Sequence, residues 1–202
     1  GLVDAASYLG LGRVFSANMT GNVVLLGFGI AGSGGLPVVA PIVSLAAFVV
    51  GSGLAGRIAA RTGASPGKQM IGALIAESSL ALTAVVLALA ASVHVGRFDG
   101  DLVIALLALA MGARNATVRR LAVPDMTTTV LTMTLTGLAA DLAGGRGHVR
   151  DAARRASAVA SMLLGAVVGA LLLQVSLALV LAGASALALA ALVAWLAVKP
   201  VA

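Results

Sequence analysis

Long apolar stretches alternate with short polar ones along the chain, and five of them have the length of a bilayer crossing. They cover about 37–60, 69–93, 102–118, 156–173 and 177–198, each near the roughly 17–25 residues that a helix needs to traverse hydrocarbon. Three further apolar stretches are shorter. Residues 2–12 and 19–31 are separated by the polar segment 13–18, and residues 130–144 follow the polar stretch 119–125. These pieces predict broken or re-entrant helices, which membranes tolerate only where protein or a watery cavity satisfies the freed backbone groups. The expected fold is therefore all-α: a polytopic bundle of about six spans, forming a single transmembrane domain over residues 1–202.

Composition agrees with that pattern. The chain is 60% hydrophobic and only 10% charged, with a mean hydropathy of +1.11, whereas about 25% of residues are charged in an ordinary soluble protein. The lipid bilayer is thus the first expected partner. A formal charge of +6 does not make this a nucleic-acid binder, because the basic residues lie between apolar runs and not over one exposed face. The absence of cysteine removes disulfides and thiolate chemistry.

Charge placement predicts orientation. Arg57, Arg61 and Lys68 share one loop, Arg146, Arg150, Arg154 and Arg155 another, and Lys199 lies at the C-terminal end, while the opposite loops contain Arg97 alone. The positive-inside rule then places the basic loops and the C-terminus in the cytoplasm of a bacterial inner membrane, with Trp195 as an interfacial anchor. There is no basic n-region and no initiator Met before the first apolar run, so no cleavable signal is expected.

The remaining basic residues, Arg13, Arg114, Arg119 and Arg120, all fall in or beside the two interrupted regions. That recurrence suggests an internal repeat. Gly1-x-x-Asp4-Ala5 matches Gly112-x-x-Asn115-Ala116, and Thr20-Gly21-Asn22 falls opposite Thr132-Met133-Thr134, with Thr136-Gly137 as an alternative register. Each unit continues with two long helices, the second element of each carrying small residues: Ala47, Gly51, Ala55 and Ala59 in one, Ser157, Ser161, Gly165 and Gly169 in the other. Such stripes let helices approach closely. Units of three crossings, residues 1–95 and 100–202, would be inverted relative to each other, each opening with an interrupted helix. Because an apolar helix precedes the second copy of the motif, residues preceding Gly1 are expected as well.

The segment Phe15-Ser16-Ala17-Asn18-Met19-Thr20-Gly21-Asn22 carries the strongest chemical signal. Amide and hydroxyl side chains around a glycine, opening a short helix, put unpaired N–H groups inside the bilayer. Such ends carry partial positive charge and are used in transporters built from paired broken helices to hold solutes near the midplane. The second copy, Pro124-Asp125-Met126-Thr127-Thr128-Thr129, places a proline before hydroxyls suited to capping. Capping alone is the plainer reading of both segments. The predicted solute site comprises Asp4, Asn18, Thr20, Gly21, Asn22, Asn115, Thr128, Thr132 and Thr134.

The order Gly-x-x-Asp-Ala at 1–5, Phe15, Asn18-Met-Thr-Gly-Asn22, Gly112-Ala-x-Asn115 and the Thr-rich stretch 127–137 resembles the YoaK family of bacterial membrane proteins over nearly the whole chain. The resemblance implies a roughly six-span inner-membrane protein and no particular activity. The chain departs from the family pattern at Met133, which stands between Thr132 and Thr134 where relatives often read Thr-Gly-Asn or Thr-Gly-Thr.

Ionisable residues within spans are costly and mark a pathway or a partner. Asp4 and Glu77 qualify. Glu77 reads either as a proton-coupling site or as one half of an ion pair with Arg114 or Arg13, since buried charges are normally paired. Arg119, Arg120 and Asp125 read as an interfacial cluster. His94 and His148 fall in loops without companion ligands, so no metal and no cofactor is expected, and no nucleophile with a base suggests an enzyme. The methionines read as packing residues. The expected function is transport of a small polar solute, with helix N-termini leaning towards an anionic one because they favour negative charge; the rival is a membrane scaffold or accessory subunit docking through its Gly/Ser stripes, and a homo-oligomer fits either.

Overall fold

The structure is a computed structural model that describes residues 1–90, 93–121, 131–144 and 149–198. Among these residues every regular element is helical, in the order α1 (Leu2–Ser7), a π-helical turn (Tyr8–Gly12), α2 (Met19–Ile30), α3 (Val39–Thr62), α4 (Pro66–Ala90), α5 (Phe98–Leu121), α6 (Leu131–Gly144), α7 (Val149–Leu173) and α8 (Leu177–Ala197). Helices α3, α4, α5, α8 and the Asp151–Leu173 part of α7 are each long and apolar enough to cross a membrane. The chain is thus a multi-pass helical membrane protein by its own composition and geometry.

Helix ends follow local chemistry. Proline at the start of α4 needs no N–H partner there, and Gly63 ends α3 in the left-handed conformation at φ 56°. Ser176 caps α8 by accepting from the N–H of Leu179 at 3.1 Å. Asp99 and Asp101 lie in the first turn of α5, and Arg119 and Arg120 in its last, the arrangement favoured by the helix dipole. The predicted polar break at 119–125 therefore begins inside a helix, two residues before α5 ends.

The apolar core lies where α1, α4, α5 and α8 meet: Leu2 and Ala6, Ala84 and Val85, Val103, Ile104 and Leu107, and Val180 and Leu181 are all buried there. Large apolar side chains cover the outside, including Val49, Ile58, Leu89, Leu163 and Val193. Water would penalise that surface at roughly 25 cal/mol per Å², whereas lipid tails do not.

Helix α3 packs chiefly on α5, α4 on α5 and α8, α7 on α1 and α6, and α2 on α3. Two glycines let α3 and α5 touch at the backbone. A Cβ on Gly51 would collide with the carbonyl of Leu109, and one on Gly112 with the carbonyl of Phe48. Ser52 Oγ donates to the Gly112 carbonyl at 3.0 Å across the same crossing. Along α7 the stripe divides: Gly169 is buried and Gly165 half-buried against α1, while Ser157 and Ser161 are exposed.

Candidate functional site

The first interruption is a reversal of the chain. Helix α1 runs through the π turn to Arg13, the sole non-glycine among the described residues with positive φ, at 54°. The chain then returns alongside α1 as residues 14–18 and starts upward again as α2. Non-helical backbone buried in a membrane protein must find hydrogen-bond partners, and three side chains supply them.

Asp4, 8% exposed, accepts through Oδ1 from the N–H groups of Ser16 at 3.1 Å and Ala17 at 2.9 Å. Asn22, fully buried, pairs with Phe15 in both directions: the Phe15 N–H donates to Oδ1 at 2.8 Å, and Nδ2 donates to the Phe15 carbonyl at 2.7 Å. Its amide thus acts as a substitute peptide unit facing Phe15. Ser44 on α3, also fully buried, donates to the same carbonyl at 2.7 Å and accepts from Asn22 Nδ2 at 3.1 Å. Asn18 caps α2 by accepting from the Gly21 N–H at 3.3 Å. The Phe15 ring stacks on Tyr8, with centroids 4.8 Å apart and planes 18° from parallel. A Cβ on Gly21 would lie 2.8 Å from that ring, so glycine at 21 lets Phe15 cover the start of α2.

Two adjoining cavities open around this start. The larger, about 500 Å³, is walled by Tyr8, Phe15, Asn18, Thr20 and Gly21 on one side and by Leu131 and Thr132, the first residues of α6, on the other. Small-molecule sites fall at roughly 300–1,000 Å³. The smaller, about 250 Å³, lies against Asp4, Ala5, Leu9 and Ala166 and shares Tyr8, Phe15, Asn18 and Met162 with the first.

The residues singled out in the sequence separate into groups. Asn18, Thr20, Gly21 and Thr132 come together at the larger cavity, and Asp4 borders the smaller one. Asn22 and Thr134 are buried, at 0% and 3% exposure, near the starts of α2 and α6. Asn115 donates to the Met111 carbonyl of its own helix at 2.8 Å. Thr128, with the rest of 122–130, lies outside the described residues, as do His148, Arg146 and Lys199. Glu77 is paired with Arg114, Nη1 to Oε1 at 2.9 Å, the carboxylate side chain 7% exposed and the guanidinium 45%. Arg114 and not Arg13 is therefore the partner, and the Glu77 Oε2 is buried without one.

Other features were not anticipated. Arg154 and Arg155, expected in a loop, lie in the first turns of α7. Arg155 pairs with Asp141 of α6 at 2.6 Å, and its guanidinium crosses Gly137 so closely that a Cβ there would collide with it. Tyr8, Ser44 and Met162 complete the site without belonging to any motif. A small polar residue early in an otherwise apolar helix was the available signal for Ser44; none existed for Tyr8 or Met162. His94 is tied to Asp99, whose carboxylate accepts from the His94 backbone N–H at 2.8 Å.

These observations define an α-helical membrane protein in which a side-chain-braced chain reversal and a second short helix share one cavity. Residues 1–194 match the family model described as "Protein of unknown function (DUF1275)", and the chain belongs to that family. It is 31% identical to the UPF0700 transmembrane protein YoaK of Bacillus subtilis (strain 168) over 180 residues, which cover 85% of this chain and 78% of that relative. No solved structure matches.

Proposed function

We propose that this protein is a permease that moves a small polar solute through the cavity between α2 and α6. One observation carries the reading: the starts of two short helices, at Asn18, Thr20 and Gly21 and at Leu131 and Thr132, line a single space of about 500 Å³. Helix starts aimed at a shared cavity are how broken-helix transporters hold a solute at the centre of the bilayer.

The proposed architecture is two inverted units, α1–α4 and α5–α8. Its support is that the principal helix contacts, apart from α7 with α8, survive exchange of the units. Pairing α3 with α5 becomes α7 with α1, α2 with α3 becomes α6 with α7, and α4 with α5 becomes α8 with α1, while α4 with α8 maps onto itself. Gly112 over the Phe48 carbonyl likewise has a counterpart in Gly1 over the Met162 carbonyl. With α4 and α5 both crossing and α6 re-entrant, the basic end of α3 and the basic start of α7 fall on one side, which the positive-inside rule makes cytoplasmic. The Glu77–Arg114 pair lies within the bundle as a charge-neutral element, and proton coupling there is a further part of the proposal.

A second reading, a scaffold subunit, draws on the exposed Ser157 and Ser161 of α7 and on the local hydrogen bonding that already occupies Asn22. Cysteine accessibility separates the two, because the chain has no cysteine of its own. Thr20→Cys and Thr132→Cys, in protein reconstituted into nanodiscs, should react with a small hydrophilic thiol reagent, and the lipid-facing Leu164→Cys should not. Silence at both cavity positions would mean a dry core and would defeat the permease reading.

A further inference from the structure

We infer that the cavity selects uncharged, planar, amphipathic solutes: a flat apolar body with one hydrogen-bonding group. The inference deepens the permease reading and rests on it. Its first ground is the Tyr8–Phe15 stack, which forms a wall common to both cavities. A stacked pair keeps an outer face and its edges for a further neighbour, and aromatic rings favour another ring set offset or edge-on against them; Gly21 is what allows the Phe15 ring to lie over the helix start.

The second ground is the distribution of polarity. Thr20 and Thr132 line the larger cavity alone and Asn18 lines both, whereas the smaller one adds Ala5, Leu9 and Ala166, with Asp4 as its one carboxylate already bound to backbone N–H groups. A solute spanning both would place its polar group at the helix starts and its body beyond the aromatic wall. Hydroxyl and amide side chains there can donate or accept, so the polar group is specified by position more than by type.

The third ground decides charge. Among the described residues, the larger cavity is lined by no Lys, Arg, Asp or Glu. The nearby charges are committed: Arg114 to Glu77 at 2.9 Å, and Asp4 to the N–H groups of Ser16 and Ala17. An ion taken out of water without a countercharge is strongly disfavoured. The partial charge at a helix start offsets a fraction of that cost, and Asp4 beside the smaller cavity opposes an anion. The anionic preference suggested by helix starts alone therefore gives way to a neutral solute.

The experiment uses the Thr20→Cys and Thr132→Cys proteins in nanodiscs and measures how three compounds slow the thiol reaction: benzamide (planar and neutral), benzoate (planar and anionic) and acetamide (neutral, without a ring). Protection by a bound compound lowers the rate by the factor 1 + [L]/Kd, about elevenfold at ten times Kd. Benzamide should protect both positions in a saturable way, with acetamide and benzoate each requiring at least about tenfold more compound, which corresponds to about 1.4 kcal/mol. Tyr8→Leu should bring benzamide down to the level of acetamide; should that variant fold poorly, Phe15→Leu serves the same purpose. Equal protection by acetamide and benzamide would overturn the aromatic wall, and stronger protection by benzoate would overturn the neutral preference; both leave the permease reading standing. Reactive thiols that none of the three protects would overturn the substrate class alone. Unreactive thiols would overturn the class together with the reading beneath it.

Discussion

Asn22→Leu tests whether side chains hold the interrupted segment in place. Leucine is close to asparagine in size, so the change removes hydrogen bonding with little change in packing volume. Two bonds of the Asn22 amide to Phe15, at 2.8 and 2.7 Å, and one to Ser44 at 3.1 Å are lost. The Phe15 carbonyl keeps Ser44 as a donor at 2.7 Å, so its loss is that of one ordinary bond, about 1 kcal/mol. The Phe15 N–H keeps nothing. A buried donor without a partner costs about 1–3 kcal/mol, which brings the expected destabilisation to about 2–4 kcal/mol. For a chain of about this size each kcal/mol lowers the midpoint by roughly 2–4 °C, so thermal unfolding in detergent should move down by about 4–16 °C. Asn22→Gln, which retains the amide at a longer reach, should fall between leucine and the parent protein. In the Asn22→Leu background, Thr20→Cys should also react faster, because the start of α2 is no longer tied to Phe15. A variant that melts with the parent protein would refute the bracing, since the half-buried Phe15 N–H would then have lost its acceptor without cost.

Three other expectations follow from the same geometry. Gly112→Ala drives a methyl group into the Phe48 carbonyl and should cost about 1–3 kcal/mol, the usual range for overpacking, whereas Gly53→Ala, which meets nothing within 4 Å, should not destabilise and should gain up to about 1 kcal/mol of helix propensity in the same melting assay. Arg114→Leu leaves the 7%-exposed Glu77 carboxylate unpaired, and should cost about 3–5 kcal/mol as breaking a buried pair does; Arg114→Leu combined with Glu77→Leu should recover most of it, and equal stability of the single and double variants would show that the pair is not coupled. Ser65→Cys should be shielded from an impermeant thiol reagent in intact cells while Val95→Cys reacts, and the opposite pattern would reverse the proposed orientation.

How much of this was legible in the sequence depends on which force sets each feature. The five long helices could be read because span length is fixed by bilayer thickness, and their apolar runs are unambiguous. Their ends could not be read as well, because hydropathy ignores capping: Pro66 starts α4 three residues before its apolar run, and Arg119 and Arg120 continue α5 where polarity alone suggested a break. Arg155 looked like a loop charge because its partner, Asp141, is on a different helix. The site residues were visible as a group for a related reason. Polar side chains clustered between apolar runs stand out, but whether each one faces a cavity or the returning backbone depends on the path of residues 13–18, which no local pattern specifies. Asp4 and Asn22 hold that path, while Asn18, Thr20 and Thr132 are left at the cavity.

The difference between the two helix starts has a consequence for how a solute would sit. Asn22 and Thr134 are both buried, but asparagine offers two donors and an acceptor on two atoms, whereas threonine offers a single hydroxyl oxygen. The Asn22 amide matches both polar groups of one peptide, as Phe15 shows; a hydroxyl at 134 has its donor and acceptor on one atom and does not span a peptide's two groups as an amide does. At the neighbouring position Gly21 accepts an aromatic ring against its backbone, while Met133 is 70% exposed. The two starts thus present different chemistry to the space between them: a ring-covered face braced by an amide, and a hydroxyl-bearing face without that cover. On the proposed reading, an amphipathic solute in such a cavity would have one favoured orientation, with its flat face towards Tyr8 and Phe15. Met133→Gly leaves the aromatic wall intact and should leave that orientation unchanged, whereas Gly21→Met displaces the Phe15 ring and should abolish it.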